Sequence, residues 1–221
     1  MTVARLLLTT LIVPLVLFAV DRPGALAQDS AEQLTANALH ECDLGRRAAE
    51  RSVRLSHFER GEKLAEQALA QNNELADAHF ALFCSKGEQL RIDGETISSL
   101  WGFRRVMRAL DRTLELDPNH LDALSSKGTF LVRLPVMMGG DVEKGEQMLR
   151  QVIQRDPKAV NARIALAKTY ASRGRQQEAL SLANEALTSA QAQHRADLIP
   201  ECQATVSAIL GIRAGNIGSS P

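Results

Sequence analysis

Five histidines (His40, His57, His79, His120 and His194) and three cysteines (Cys42, Cys84 and Cys202) offer metal-binding or nucleophilic chemistry in this 221-residue sequence. Their spacing gives little of it. There is no HExxH pair, and His40-x-Cys42 supplies two ligands on one helix where a closed zinc site takes four, so an ordinary packed or exposed pair is the simpler reading. No GxSxG elbow, phosphate loop or dinucleotide glycine fingerprint occurs. The sequence therefore supports no enzyme and calls for no cofactor or metal. Gly139-Gly140 ahead of a helix could hold an anion at the helix N-terminus, but Asp141 and Glu143 would repel it. Small buried thiols are the commoner reading of these cysteines; if one pair forms in an oxidising compartment it is Cys42 with Cys84, because both fall near first helices of neighbouring repeats.

Arg104, Arg105, Arg108 and Arg112 share one predicted helix with Trp101 and Phe103. Such a run either meets an acidic partner or is a solvated face neutralised by Asp111 and Glu115. Acidic and basic residues balance at 26 each, so there is no single-sign field for nucleic acid. With 4% aromatic residues and many charged helix formers, the composition suits helices better than sheets.

Residues 1–27 stand apart. Arg5 precedes a mostly apolar run from residue 6 to 20, and Ala25-Leu26-Ala27 has the small-x-small form of a signal peptidase site. The run is short for a membrane span and contains Pro14, which predicts a signal peptide cut after Ala27 and a periplasmic or secreted protein. Membrane contact is expected only if this segment is retained. No Cys follows it to carry a lipid.

The elements that must position these residues are helical. Residues 30–72 carry a helical pattern with no break signal, and residues 61–69 and 145–153 share a Gly-Glu start and the same apolar phase. Residues 77–85 and 122–130 match as first helices. A helix over 95–116 is predicted to bury Ile97, Leu100, Met107, Leu110 and Leu114. Pro135 should stop one helix, Gly139-Gly140 turn the chain, and Asp141 cap the next. The turn holds Val136, Met137 and Met138, which should fold back on the hairpin or contact a partner. In residues 157–187, Arg163-x-x-Leu166-Ala167-x-x-Tyr170, Gly174 and Ala179-x-x-x-Ala183-x-x-Ala186 describe two closely crossing helices, with Asp156-Pro157 starting the first and Gly174 ending it. A last helix over 200–213, with Val206, Leu210 and Ile212, should cap the stack, followed by a disordered tail at 214–221.

This spacing resembles the tetratricopeptide repeat (TPR), a helical hairpin of about 34 residues. The resemblance implies an all-α, right-handed α-solenoid of antiparallel hairpins over residues 28–213, closed by a C-terminal capping helix. Asp117-Pro118, Leu134-Pro135 with Gly139-Gly140-Asp141, and Asp156-Pro157 further resemble the T component of TRAP-type transporters. That implies work beside a periplasmic solute-binding protein and a permease.

In a TPR stack the first helices line a concave groove. Here the repeat phase assigns to it Asp77, Phe80, Cys84, Asp122, Ser125, Ser126, Thr129, Asn161, Ile164, Lys168 and Ser172. Pro135, Met137, Met138, Gly139 and Gly140 form a candidate interaction loop. The set lacks a Lys/Asn clamp for a free carboxylate, so an extended peptide or a folded partner surface is expected. The reading is an exported, noncatalytic scaffold that binds a protein or peptide. The alternative is a carrier of apolar small molecules, with a pocket near Trp101, Phe103, Met137 and Met138.

Overall fold

A computed structural model describes residues 29–93 and 99–211. The predicted leader, its cut site, Ile97, the side chains of Leu100 and Trp101, Ile212 and the tail lie outside the described residues. Among those described, nine α-helices and one 3-10 turn occur, with no strand. They pair as hairpins: α1 (Ala31–Arg47) with α2 (Arg51–Gln71), α3 (Ala76–Asp93) with α4 (Ser99–Leu116), α5 (Leu121–Arg133) with α6 (Val142–Arg155), and α7 (Val160–Ser172) with α8 (Gln176–Ala192). A ninth helix, α9 (Ile199–Ile209), lies against α8 and α7 and closes the stack.

The first hairpin turns inside a stretch whose sequence carries no break signal. Ser30 starts α1 by accepting a hydrogen bond from the Gln33 N–H (3.2 Å), and the chain then leaves the helix at Ala48. Neither glycine nor proline marks the break. Packing places it: Phe58 of α2 is fully buried against α1 at Gly45, where an added Cβ would lie 2.5 Å from the ring. Gly61 is consequently inside α2 and not at its start. A Cβ there would meet Ser85 of α3 at 2.6 Å, so the shared Gly-Glu signature marks close helix crossings. Gly145 of α6 does the same against Val132 and the Gly128 carbonyl.

The turns between repeats are built alike. Asn72, Asp117 and Asp156 each accept, through side-chain Oδ1, the backbone N–H two residues on, at 3.0, 2.9 and 2.8 Å. Asp156-Pro157 therefore forms the turn, and α7 begins later, at Val160. Gly174 takes φ of +76°, as expected for the residue that ends the first helix of the last hairpin. Ala167, Ala179, Ala183 and Ala186 are all completely buried where α7 and α8 cross.

In the second hairpin both helices are long, at 18 residues each, with α3 continuing through Asp93. On α4, Leu110 is fully buried, while Met107 and Leu114 are partly buried at the core's edge. The apolar face of α9 also differs from expectation: Cys202 and Thr205 are its buried residues, and Leu210 is exposed. A disulfide joins Cys42 of α1 to Cys84 of α3, Cα atoms 6.3 Å apart, beside the Phe58 ring. That bond takes Cys42 out of any metal-ligating pair with His40. Cys202 remains a buried thiol whose pKa burial pushes up.

Candidate binding groove

Each first helix presents one side to the same face. Arg46 from α1, Phe80 and Phe83 from α3, Asp122, Ser125, Ser126, Thr129 and Phe130 from α5, and Asn161 from α7 line a recess of about 210 Å³. Its floor is aromatic. Phe80 and Phe83 lie 5.6 Å apart, and Phe130 meets Phe83 edge-on at 6.2 Å. Its walls are polar. Among the described residues, the hydroxyls of Ser125 and Ser126 and the Asn161 amide spend no hydrogen bond on the protein, whereas Thr129 donates to the Ser125 carbonyl at 2.8 Å.

Local chemistry fixes the walls. His120 caps α5: its Nδ1 accepts from the Ala123 N–H at 3.2 Å, so the proton sits on Nε2, which donates to Asp77 at 3.0 Å. The same imidazole lies tilted against Phe80, ring centres 4.7 Å apart. Asp77 is thereby tied to His120 and does not line the recess. Arg46 is set by Glu88 of α3, its Nε 3.0 Å from the carboxylate. Burial would raise the Glu88 pKa, but Arg46 and Arg91 outweigh it and hold the carboxyl below its ordinary 4.5. Across the face, the connection from α8 to α9 carries Arg195, bonded to Asp197 at 2.9 and 2.7 Å. That bond raises the Arg195 pKa against burial, and Asp43 of α1 and Asp122 of α5 add to the effect.

Six of the residues assigned from the sequence thus meet in one place: Phe80, Asp122, Ser125, Ser126, Thr129 and Asn161. Others do not join them. Cys84 is buried in the disulfide, and Ile164 is buried against Ala186, Ala190 and Cys202. Lys168 turns to Glu201 of α9 at 2.7 Å and lines a separate hollow, while Ser172 donates to the Thr169 carbonyl. Arg46, Phe83 and Phe130 were missed. Arg46 lies one turn beyond Cys42 and Phe83 one turn beyond Phe80, so helical spacing was the signal for both.

The interaction loop does not fold back. Val136, Met137 and Met138 are 83%, 93% and 56% exposed, on a turn closed by Met138 and Gly140 N–H bonds to the Pro135 carbonyl at 2.8 and 3.0 Å. Gly139 has φ of +89°, and a side chain on Gly140 would overlap the Leu134 carbonyl. Asp141 caps α6 through the Lys144 N–H, as expected.

Another polar cluster is structural. Glu146 of α6, almost wholly buried, accepts from Arg150 and Arg173 at 2.8 Å each, and Arg175 stacks 3.5 Å above the Tyr170 ring. Together they pin the third hairpin to the fourth. Among the described residues no helix is long and apolar enough to cross a membrane.

The tetratricopeptide repeat family profile matches residues 137–199, from the loop through α6, α7 and α8. No curated protein matches. A thermophilic TPR protein of Thermus thermophilus is similar in structure at a TM-score of 0.51 and 16% identity, covering 82% of this chain and 99% of that one. MamA also matches, at a TM-score of 0.47 and 16% identity over 75% of this chain and 81% of its own. So does a MamA fragment from Desulfovibrio magneticus RS-1, at 0.42 and 15% over 78% and 94%. The family match and the Thermus structure agree with the hairpin architecture: the chain has the TPR fold, a right-handed α-solenoid of antiparallel hairpins closed by a capping helix.

Proposed function

We propose that this chain is an exported, noncatalytic scaffold that holds a peptide or a protein surface in its concave groove. The observation that carries this reading is the recess itself. An aromatic floor accepts an apolar side chain, while Ser125, Ser126 and Asn161 offer hydrogen bonds to a peptide backbone. Helix pairs hold these groups in place before binding, so little backbone entropy is lost on association. Arg46 and Asp122 add charges of opposite sign on facing helices, which suits a partner with a polar segment of mixed charge.

The carrier alternative called for an apolar pocket near Trp101, Phe103, Met137 and Met138. The cleft found there opens to solvent and carries Arg104, Arg108, Asp111 and Lys127 on its sides, which favours the scaffold. Export rests on the apolar run and the Ala25-Leu26-Ala27 site. Work beside a TRAP-type transporter rests on the resemblance of the 134–141 loop and has no support from the comparisons, so a solute-binding protein is one candidate partner among others.

The test is photo-crosslinking with benzoylphenylalanine at Ser126 in cells, followed by mass spectrometry. One partner should be trapped, and Arg46→Glu with Asn161→Ala should abolish the product without changing the helical circular dichroism. A product unaffected by those changes would refute the groove. The recovered chain should begin at Gln28; an intact Met1 would refute the cleavage.

A further inference from the structure

A second surface lies at the edge of the solenoid, between α4, α5 and the turn that follows α5. Phe103 and Met107 of α4, Phe130 of α5 and Leu134 just after it, and Met138 of the turn enclose an open cleft of about 320 Å³. Phe103 meets Phe130 edge-on at 5.8 Å at its base. The turn beside it shows Val136 and Met137 almost fully to solvent, and its backbone is fixed by three hydrogen bonds and two glycines. A rigid turn that exposes three apolar side chains loses the shelter that folding back would give them. Methionine suits such a position when the surface must adapt to an incoming side chain.

The charges around this cleft are not those of the rest of α4. Arg105 and Arg112 reach back to Glu66 of α2 and Glu74 of the turn after it, at 3.1 and 2.8 Å. Arg108 lines the cleft instead and has no carboxylate partner among the described residues. The cleft's acidic residue, Asp111, is bonded to Lys127 at 2.6 Å. Basic charge therefore exceeds acidic charge at an apolar concavity, and an anionic occupant fits it.

We infer that this cleft and the Val136–Met138 turn form a second docking surface, for an acidic amphipathic segment of a protein partner. A large apolar side chain of that segment sits on the Phe103 and Phe130 rings, its carboxylates face Arg108, and Met137 and Val136 cover it from the turn. The concavity favours an inserted side chain over a flat lipid surface. The inference does not rest on the concave groove, since the two sites share only Phe130. With both occupied, one chain would hold two partners together.

Panning a library of random peptides displayed on phage against the full chain tests this. The expected outcome is enrichment of peptides with Asp and Glu around Leu, Phe or Trp. Fluorescence anisotropy with the enriched peptide should then show Kd rising about tenfold or more in Met137→Ser/Met138→Ser and again in Arg108→Glu, with no change in Arg46→Glu. These side chains are exposed, so the variants should fold as the parent does, and circular dichroism checks it. Failure to enrich, enrichment of basic or uncharged peptides, or loss of binding in Arg46→Glu alone would overturn the proposal. It would equally be overturned by Met137-dependent flotation with phosphatidylcholine–phosphatidylglycerol vesicles, which assigns the turn to lipid. A dimer in light scattering that Met137→Ser dissolves would assign it to a second copy.

Discussion

Breaking the Cys42–Cys84 bond should cost this solenoid a large part of its stability, because it ties the first repeat to the second across 42 residues of chain. In the chain-entropy description, closing a loop of that length removes about 13 cal/mol/K from the unfolded ensemble, or about 4 kcal/mol at 25 °C. Both sulfurs are buried against Phe58, so two free thiols must fit where one bond was, adding about 1 kcal/mol of strain. Reduction should therefore lower the unfolding free energy by about 4–5 kcal/mol, and the melting temperature by roughly 8–20 °C for a chain of this size. Urea unfolding with and without reductant measures the difference, and the transition should steepen on reduction because the freed chain exposes more surface. Thiol titration in denaturant gives the independent check. Without reductant one thiol should react, from Cys202, and with it all three. Three reactive thiols in unreduced protein, or an unchanged midpoint on reduction, would refute the reasoning.

Acid should act through Glu88. Its folded pKa lies below 4.5, so the stabilisation is present above that value and is lost as pH falls through the folded pKa. The stability gap between the parent and Glu88→Gln should shrink below pH 4.5 in chemical unfolding; a gap constant from pH 5 to 3 would contradict the assignment. Glu146→Ala leaves Arg150 and Arg173 without their shared carboxylate and should cost about 2 kcal/mol, the arginines being partly solvated. A loss below about 0.5 kcal/mol in urea unfolding would show that the cluster does not pin the hairpins. In the turn, Gly140→Ala forces a Cβ into the Leu134 carbonyl and should cost about 1–3 kcal/mol, against about 1 kcal/mol for Gly139→Ala, which only strains φ. Equal thermal shifts for the two would contradict this.

Much of the fold was legible because its signals are local. Gly174, Pro135 and Asp141 act within a turn of their own positions, through a permitted φ, a missing N–H and a side-chain acceptor, so the sequence by itself determined where those helices stop and start. The alanines of α7 and α8 were equally readable, since small residues at helical spacing have few uses other than a close crossing. The break at Ala48–Glu50 carries no such signal. It exists because Phe58 must reach Gly45, a contact between helices that neither segment announces alone.

The candidate groove divides in the same way. Helical phase names a side of each first helix, and for α5 that was enough to find Asp122, Ser125, Ser126 and Thr129. Phase does not say what will cover that side. On α7 the capping helix draws Lys168 to Glu201 and helps bury Ile164, while on α3 a bond to α1 removes Cys84. Arg46 enters the recess only because Glu88, 42 residues on, holds it there. Helix ends and small-residue crossings were thus set by the sequence through short-range sterics and hydrogen bonds. Which faces stayed open was decided by the tertiary structure, because burial depends on partners far away in the chain.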